Sequence, residues 1–207
     1  RGAPWWKSFT TGKSAATLGG VPHDRYGMTT QSIREYVYGI LRKSELQEES
    51  ITKVQTGGPD GDLGSNEILL SKDKTVAVID GSGVVHDPQG LDREELMRLA
   101  RARKTVAHFD VSKLGKDGYL VLVEDRHLTL PSGEMVPDGL NFRNRAHLRF
   151  EADLFVPCGG RPEAINIGNV HEMFDSEGKC HYKYIVEGAN LFISRQGRLE
   201  LEKRGVV

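Results

Sequence analysis

An apolar, strand-like run, Ile51-Thr52-Lys53-Val54-Gln55, leads into Gly58-Pro59-Asp60-Gly61-Asp62-Leu63-Gly64, and a helix-like run follows. Three glycines at this place constrain the chain more than any other feature. Each removes a side chain where a strand end meets a helix start, so a polyanion can approach the backbone N–H groups there. The spacing is one residue longer than the usual Gly-x-Gly-x-x-Gly fingerprint of dinucleotide sites. A second apolar run, Thr75-Val76-Ala77-Val78-Ile79, ends at Asp80 and is followed by Gly81-Ser82-Gly83. A carboxylate at that distance from the glycines can accept both hydroxyls of an adenosine ribose, and it would repel a 2′-phosphate. Taken singly, the glycine loop is equally a structural turn, and Asp80 a turn cap. In strand–loop–helix–strand order they read together as a dinucleotide site.

The rest of the chain fits an α/β domain. Ile33, Val37, Ile40 and Leu41 form one apolar stripe of a helix that Thr29 or Thr30 can cap. Asp92 can cap a helix carrying Leu96, Leu99 and Ala100. Leu154-Phe155-Val156 and Tyr184-Ile185-Val186 read as buried strands, the former ending at Pro157-Cys158-Gly159-Gly160 and the latter at Glu187-Gly188-Ala189-Asn190. A helix is expected near Gly168 to Phe174 and another near Arg195 to Arg204. Continuous apolar strands between helices imply a Rossmann-like, doubly wound, mostly parallel sheet with helices on both faces. Tyr119–Val123 and His127–Leu130, followed by the turn Pro131-Ser132-Gly133, predict a small β-hairpin insertion over about 118–136. Residues 1–28 are turn-rich and read as a lead-in from a preceding domain, with the dinucleotide-binding domain over 29–207.

Composition removes other classes. With 28 basic and 29 acidic residues the formal charge is −1, which gives no electrostatic case for nucleic acid or an anionic membrane. Two cysteines, Cys158 and Cys180, are too few for a disulfide scaffold. The expected address is intracellular, cytoplasmic or alternatively mitochondrial. Strand ends rich in small residues border the ligand crevice of such a sheet. Gly81, Ser82, Cys158, Gly159 and Asn190 are therefore candidate lining residues, with Cys158 a small apolar wall rather than a nucleophile. His23-Asp24 is a pair of the kind used in acid–base work, although such pairs are common in loops. No metal-ligand spacing is present. The chain opens Arg1-Gly2-Ala3-Pro4-Trp5-Trp6, which reads as an internal segment of a longer protein.

Several segments carry a resemblance in order and spacing: Trp5-Trp6-Lys7-Ser8-Phe9, Gly19-Gly20-Val21-Pro22-His23-Asp24, Thr56-Gly57-Gly58-Pro59-Asp60-Gly61-Asp62-Leu63-Gly64, Asp80-Gly81-Ser82-Gly83, Pro157-Cys158-Gly159-Gly160-Arg161-Pro162 and Glu187-Gly188-Ala189-Asn190. Together they resemble the cofactor-binding domain of glutamate dehydrogenases, above all the large NAD-specific type of fungi. The resemblance implies NAD as cofactor and reversible oxidative deamination of L-glutamate to 2-oxoglutarate and ammonia. It implies that Gly58, Pro59, Asp60, Gly61, Asp62, Leu63 and Gly64 hold the pyrophosphate and that Asp80 holds the adenosine ribose. Thr29 would face the nicotinamide carboxamide, Cys158 and Gly159 would line the crevice, and Asn190 would meet the nicotinamide ribose. The family's catalytic lysine and aspartate belong to a substrate domain that no segment here matches. The chain is thus expected to bind NAD without turning over glutamate, and the full-length protein to be a homo-oligomer. Another amino-acid dehydrogenase of the superfamily, or a non-catalytic nucleotide-binding module, is the alternative.

Overall fold

Alternation along the strands decides the layering. Leu154 and Val156 pack with the first helix, whereas Phe155 between them points into the opposite core. A strand buried on both faces must be covered on both, and it is. The computed structural model describes residues 16, 19–21 and 26–206. Its main sheet has six strands: β1 Thr52–Thr56, β2 Lys74–Ile79, β3 Gly83–His86, β4 Tyr119–Leu122, β7 Ala152–Pro157 and β8 Tyr182–Ile185, in the order β4-β3-β2-β1-β7-β8. Four consecutive strands, β2, β1, β7 and the edge strand β8, run parallel. A separate hairpin pairs β5 Arg126–Thr129 with β6 Met135–Asp138.

Helices α1 Met28–Lys43, α2 Asp62–Leu70 and α3 Arg93–Ala102 cover one face. On the other, Phe142 of α4 Gly139–Arg145 and Leu201 of α5 Arg195–Lys203 join the larger core around Val54, Ile79 and Phe155. The doubly wound, mostly parallel sheet expected from the sequence is present. Asp92 caps α3 as expected, its side chain accepting from the Glu95 amide.

Four expectations are corrected. First, α1 starts earlier, at Met28, on Gly27 in the left-handed conformation (φ 56°) and without a side-chain cap, so neither Thr29 nor Thr30 caps it. Second, Gly83–His86 turns back as β3, antiparallel to β2. A four-residue strand beside three turn residues carries no periodicity to read. Third, Tyr119–Leu122 is no half of a hairpin: it pairs with β3 and closes the main sheet. The inserted hairpin lies instead over Arg126–Asp138, around the Pro131–Gly133 turn. Fourth, the helix expected near Gly168–Phe174 shrinks to a single 3₁₀ turn, Val170–Met173. Trp5, Trp6 and the His23-Asp24 pair lie outside the described residues.

Candidate functional site: a glycine-walled cleft at the strand ends

The strand order turns at β1. The chain moves from β1 to β2 on one side and later returns to place β7 on the other, which opens a crevice beyond their carboxyl ends. Register brings these ends level, with Thr56 opposite both Ile79 and Pro157. A cleft of about 460 Å³ lies there, inside the roughly 300–1,000 Å³ of small-molecule sites. Its walls include Gly57, Gly58, Asp60 and Gly61 after β1, Asp80 and Gly81 after β2, and Cys158, Gly159 and Gly160 after β7.

Backbone approach explains the glycines. Gly57 sits at φ 83°, and a Cβ on it would lie 2.5 Å from the Gly159 nitrogen. One on Gly64 would lie 2.3 Å from the Gly58 oxygen and 2.4 Å from the Gly57 oxygen. Loop and helix α2 are therefore in direct contact, a packing that only Gly allows. The Gly57 amide donates to Ile79 O at 2.8 Å, and Thr56 Oγ1 donates to Gly159 O at 2.7 Å, so the three loops are stitched together. Beneath them, Gln55 Nε2 donates to Gly57 O (2.8 Å) and Gly64 O (3.1 Å). The amides of Asp62, Leu63 and Gly64 belong to the first turn of α2, where a helix has no internal acceptor for them. The residues fit a pyrophosphate: side chains are missing where it must approach, and helix-end donors are present.

Asp80 is engaged by its own surroundings. It is only 4% exposed. Its Oδ1 accepts from the Ser82 amide (2.8 Å) and Ser82 Oγ (2.7 Å), and its Oδ2 from the Val106 amide (2.7 Å). The carboxylate organises the β2–β3 turn and the Val106 segment, both of its oxygens accepting from protein donors. It also packs on Gly58, where a Cβ would meet Asp80 Oδ2 at 2.3 Å.

The other predicted residues divide. Gly58, Asp60, Gly61, Gly81, Cys158 and Gly159 line the cleft. Pro59, Asp62, Leu63, Gly64 and Ser82 belong to the same loops without lining it, and Thr29 and Asn190 are exposed outside its walls. Thr30, next to Thr29, is buried and donates its hydroxyl to Leu63 O at 3.5 Å. Burial, reinforced by the Glu67 carboxylate, pushes the Cys158 thiol well up, so it stays protonated and apolar.

Among the lining residues that sequence reading missed are the cationic or titratable Arg143, His147 and Arg161. Arg143 and His147 come from α4 and the turn after it, a region with no periodic link to the glycine loop. Burial holds the His147 imidazole down at about 4, against a bond to Ala164 O that works the other way; Arg143 and Arg145 lower it further. It is neutral at neutral pH.

The fold and this cleft are those of a Rossmann-like α/β domain. The comparisons agree: residues 19–207 match the family described as Glutamate/Leucine/Phenylalanine/Valine dehydrogenase. The chain belongs to that family. It is 62% identical over 208 residues to the probable NAD-specific glutamate dehydrogenase of Schizosaccharomyces pombe, covering all of this chain and 19% of that protein. With the NAD-specific glutamate dehydrogenase of Neurospora crassa it shares 59% over 209 residues, 100% of this chain and 20% of that one. The chain thus spans about a fifth of the length of these curated relatives. Plasmodium falciparum glutamate dehydrogenase superposes with a TM-score of 0.63 at 16% identity, over 95% of this chain and 37% of that one. The hetero-hexameric enzyme of Thermus thermophilus gives 0.58 at 20%, over 95% and 38%. At these identities the two structures establish the fold alone.

Proposed function

We propose that this chain is the NAD-binding part of a glutamate dehydrogenase, an enzyme that oxidatively deaminates L-glutamate to 2-oxoglutarate and ammonia and runs the reverse reaction. The observation that carries the reading is the cleft at the topological switch point, walled in part by Gly57, Gly58 and Gly160, whose Cβ positions are already filled by neighbouring backbone and side chain. The names of the NAD-specific relatives support the choice of cofactor and substrate.

NAD, when bound, supplies a hydride acceptor. This chain's own residues do the holding. The first-turn amides of α2, from Asp62 to Gly64, offer donors to the pyrophosphate. Gly58, Pro59, Asp60 and Gly61 leave room for it. Gln55 fixes the loop from below by accepting no competing role: both of its amide protons go to loop carbonyls. Gly81 and Ser82 border the adenosine side, with Asp80 holding that turn in shape. Cys158 and Gly159 close the far wall, and Thr29 and Asn190 are assigned to the nicotinamide side, which lies beyond the cleft described here. Substrate carboxylates and the proton-transfer groups are assigned to parts of the protein outside this chain, so the chain alone binds cofactor without turnover.

Calorimetric titration of the chain with NAD and NADP tests this. Binding of NAD in the micromolar to millimolar range, with no release of product from added glutamate, is expected. A folded chain that takes up neither nucleotide would sink the reading.

A further inference from the structure

Three arginines lie in seven residues at α4 and its exit, and two of them are committed. Arg145 pairs with Glu172, and Arg149 with Glu134. Arg143 pairs with no carboxylate among the described residues. It is half-buried in the wall of the cleft at the end of β2. Its Nε donates to the main-chain oxygen of Asp80 at 2.6 Å, and Nη1 to Asn144 Oδ1 at 2.9 Å. A guanidinium has five N–H donors, so three remain without an acceptor among the described residues. The Nε bond fixes the plane of the group, and the fork is held ready.

The Asp80 carboxylate is turned into its own loop, so the group presented to the cleft at the end of β2 is a cation where the sequence promised an anion. The remaining cleft carboxylates, Asp60 and Glu163, are exposed, and so is a second cation, Arg161. A planar, unpaired fork in a half-buried site matches the oxygens of a phosphate.

We infer that Arg143 is a specificity residue that seats a phosphate on the adenosine half of the dinucleotide. This rests on the cofactor reading above and deepens it. NAD carries its phosphates only in the 5′-pyrophosphate, so the one seated is the adenosine-side phosphate of that group, and a 2′-phosphorylated probe separates it from a seat at the ribose.

The test uses the full natural protein and equilibrium binding, with adenosine, 5′-ADP and 2′-phosphorylated ADP as probes on wild type, Arg143→Met and Arg143→Lys. Melting temperatures check that the variants fold. A seated phosphate predicts that Arg143→Met weakens the phosphate-bearing ligand about 10–100-fold, the range of a charge-assisted hydrogen bond, and leaves adenosine unchanged. Arg143→Lys, which keeps the charge and loses the fork, falls between. Loss on 5′-ADP supports the pyrophosphate seat; loss only on the 2′-phosphorylated ligand overturns it and places the seat at the ribose. If Arg143→Met binds every phosphate ligand as wild type does, the inference is wrong. It is also overturned if adenosine weakens as much as ADP, since Arg143 is then only a tie between α4 and β2. Wild type that binds no nucleotide overturns the cofactor reading itself, an outcome distinct from the others.

Discussion

Gly61 and Gly64 stand three positions apart and meet different surroundings. A Cβ on Gly61 finds only the Gly58 oxygen at 3.5 Å, an ordinary contact, whereas one on Gly64 drives into two carbonyl oxygens. Gly64→Ala is therefore expected to cost about 1–3 kcal/mol through overpacking, and Gly61→Ala less than about 1 kcal/mol. Urea unfolding of the two variants checks this, and equal losses would show that the loop has room at both places. The same contrast predicts that Gly64→Ala lowers NAD affinity more than Gly61→Ala, because the helix end must move away from the loop. At Asp80 the expectation reverses from that drawn on sequence. Asp80→Asn puts an amide where three donors converge, so stability falls by about 1–3 kcal/mol, while the ratio of NAD to NADP affinity moves little. A collapsed ratio with unchanged stability would restore the ribose role.

Several elements meet on a buried charge network beneath the glycine loop. Arg34 of α1 pairs with Glu48 and, at 3.1 Å, with Glu67 of α2. Lys53 of β1 pairs with Glu67 (3.2 Å) and Asp73 (3.0 Å) and donates to Ser71 Oγ at 2.8 Å. Lys53 and Glu67 are both 0% exposed. Burial alone would lower the Lys53 ammonium, but the Asp73 and Glu67 carboxylates outweigh it and hold the group charged. Removing one partner leaves an uncompensated buried charge, at a cost of about 3–5 kcal/mol. Lys53→Met and Glu67→Gln should each lose that much, and the double variant clearly less than the two losses added. A double-mutant cycle by chemical denaturation measures it; strict additivity would mean that the two side chains do not work as one network. Since this network joins α1, β1 and α2, its loss is expected to loosen the loop those elements carry.

For the whole molecule, the loss of stability between neutral pH and about pH 4.5 is led by two imidazoles. Burial brings His86 down to about 4, partly offset by Asp87, and His147 down to about 4 as well. His86 stacks on Phe150 at 4.6 Å, and its buried Nδ1 has no hydrogen-bond partner among the described residues. In the unfolded chain both titrate near 6.5. Between the two values the unfolded chain holds more protons than the folded one, so stability falls as pH drops through that window and is fully kept above it. Each imidazole contributes at most about 3 kcal/mol to the decline. Urea midpoints recorded from about pH 7 to about pH 4.5 should fall for the wild-type chain. In the His86→Gln, His147→Gln double variant they should stay nearly flat. A double variant that keeps the full decline would place the acid sensitivity elsewhere.

What could be read in the residues is what depends on neighbours in sequence. The strand before the glycines, the helix after them, the second strand and the Asp92 cap are local matters of periodicity and turn chemistry, and each stands within a residue or two of its expected place. So does the glycine loop, because a missing Cβ is visible in the sequence itself. By contrast, β3 and β4 became sheet members through antiparallel pairing with partners that periodicity does not name. Asp80 was legible as a carboxylate at the right distance from the glycines. Its hydrogen bonds to Ser82 and Val106 were not, because they depend on how the segment after α3 returns to the end of β2. Arg143, His147 and Arg161 reach the cleft from residues some 80 to 100 positions beyond the glycine loop. The sequence alone determined that a dinucleotide could approach the backbone here, since glycine and a helix start are local properties. Which charge faces the cleft at the end of β2 was settled only by the tertiary structure, since that depends on long-range packing that pairs Arg143 with no carboxylate among the described residues and gives Asp80 three donors of its own.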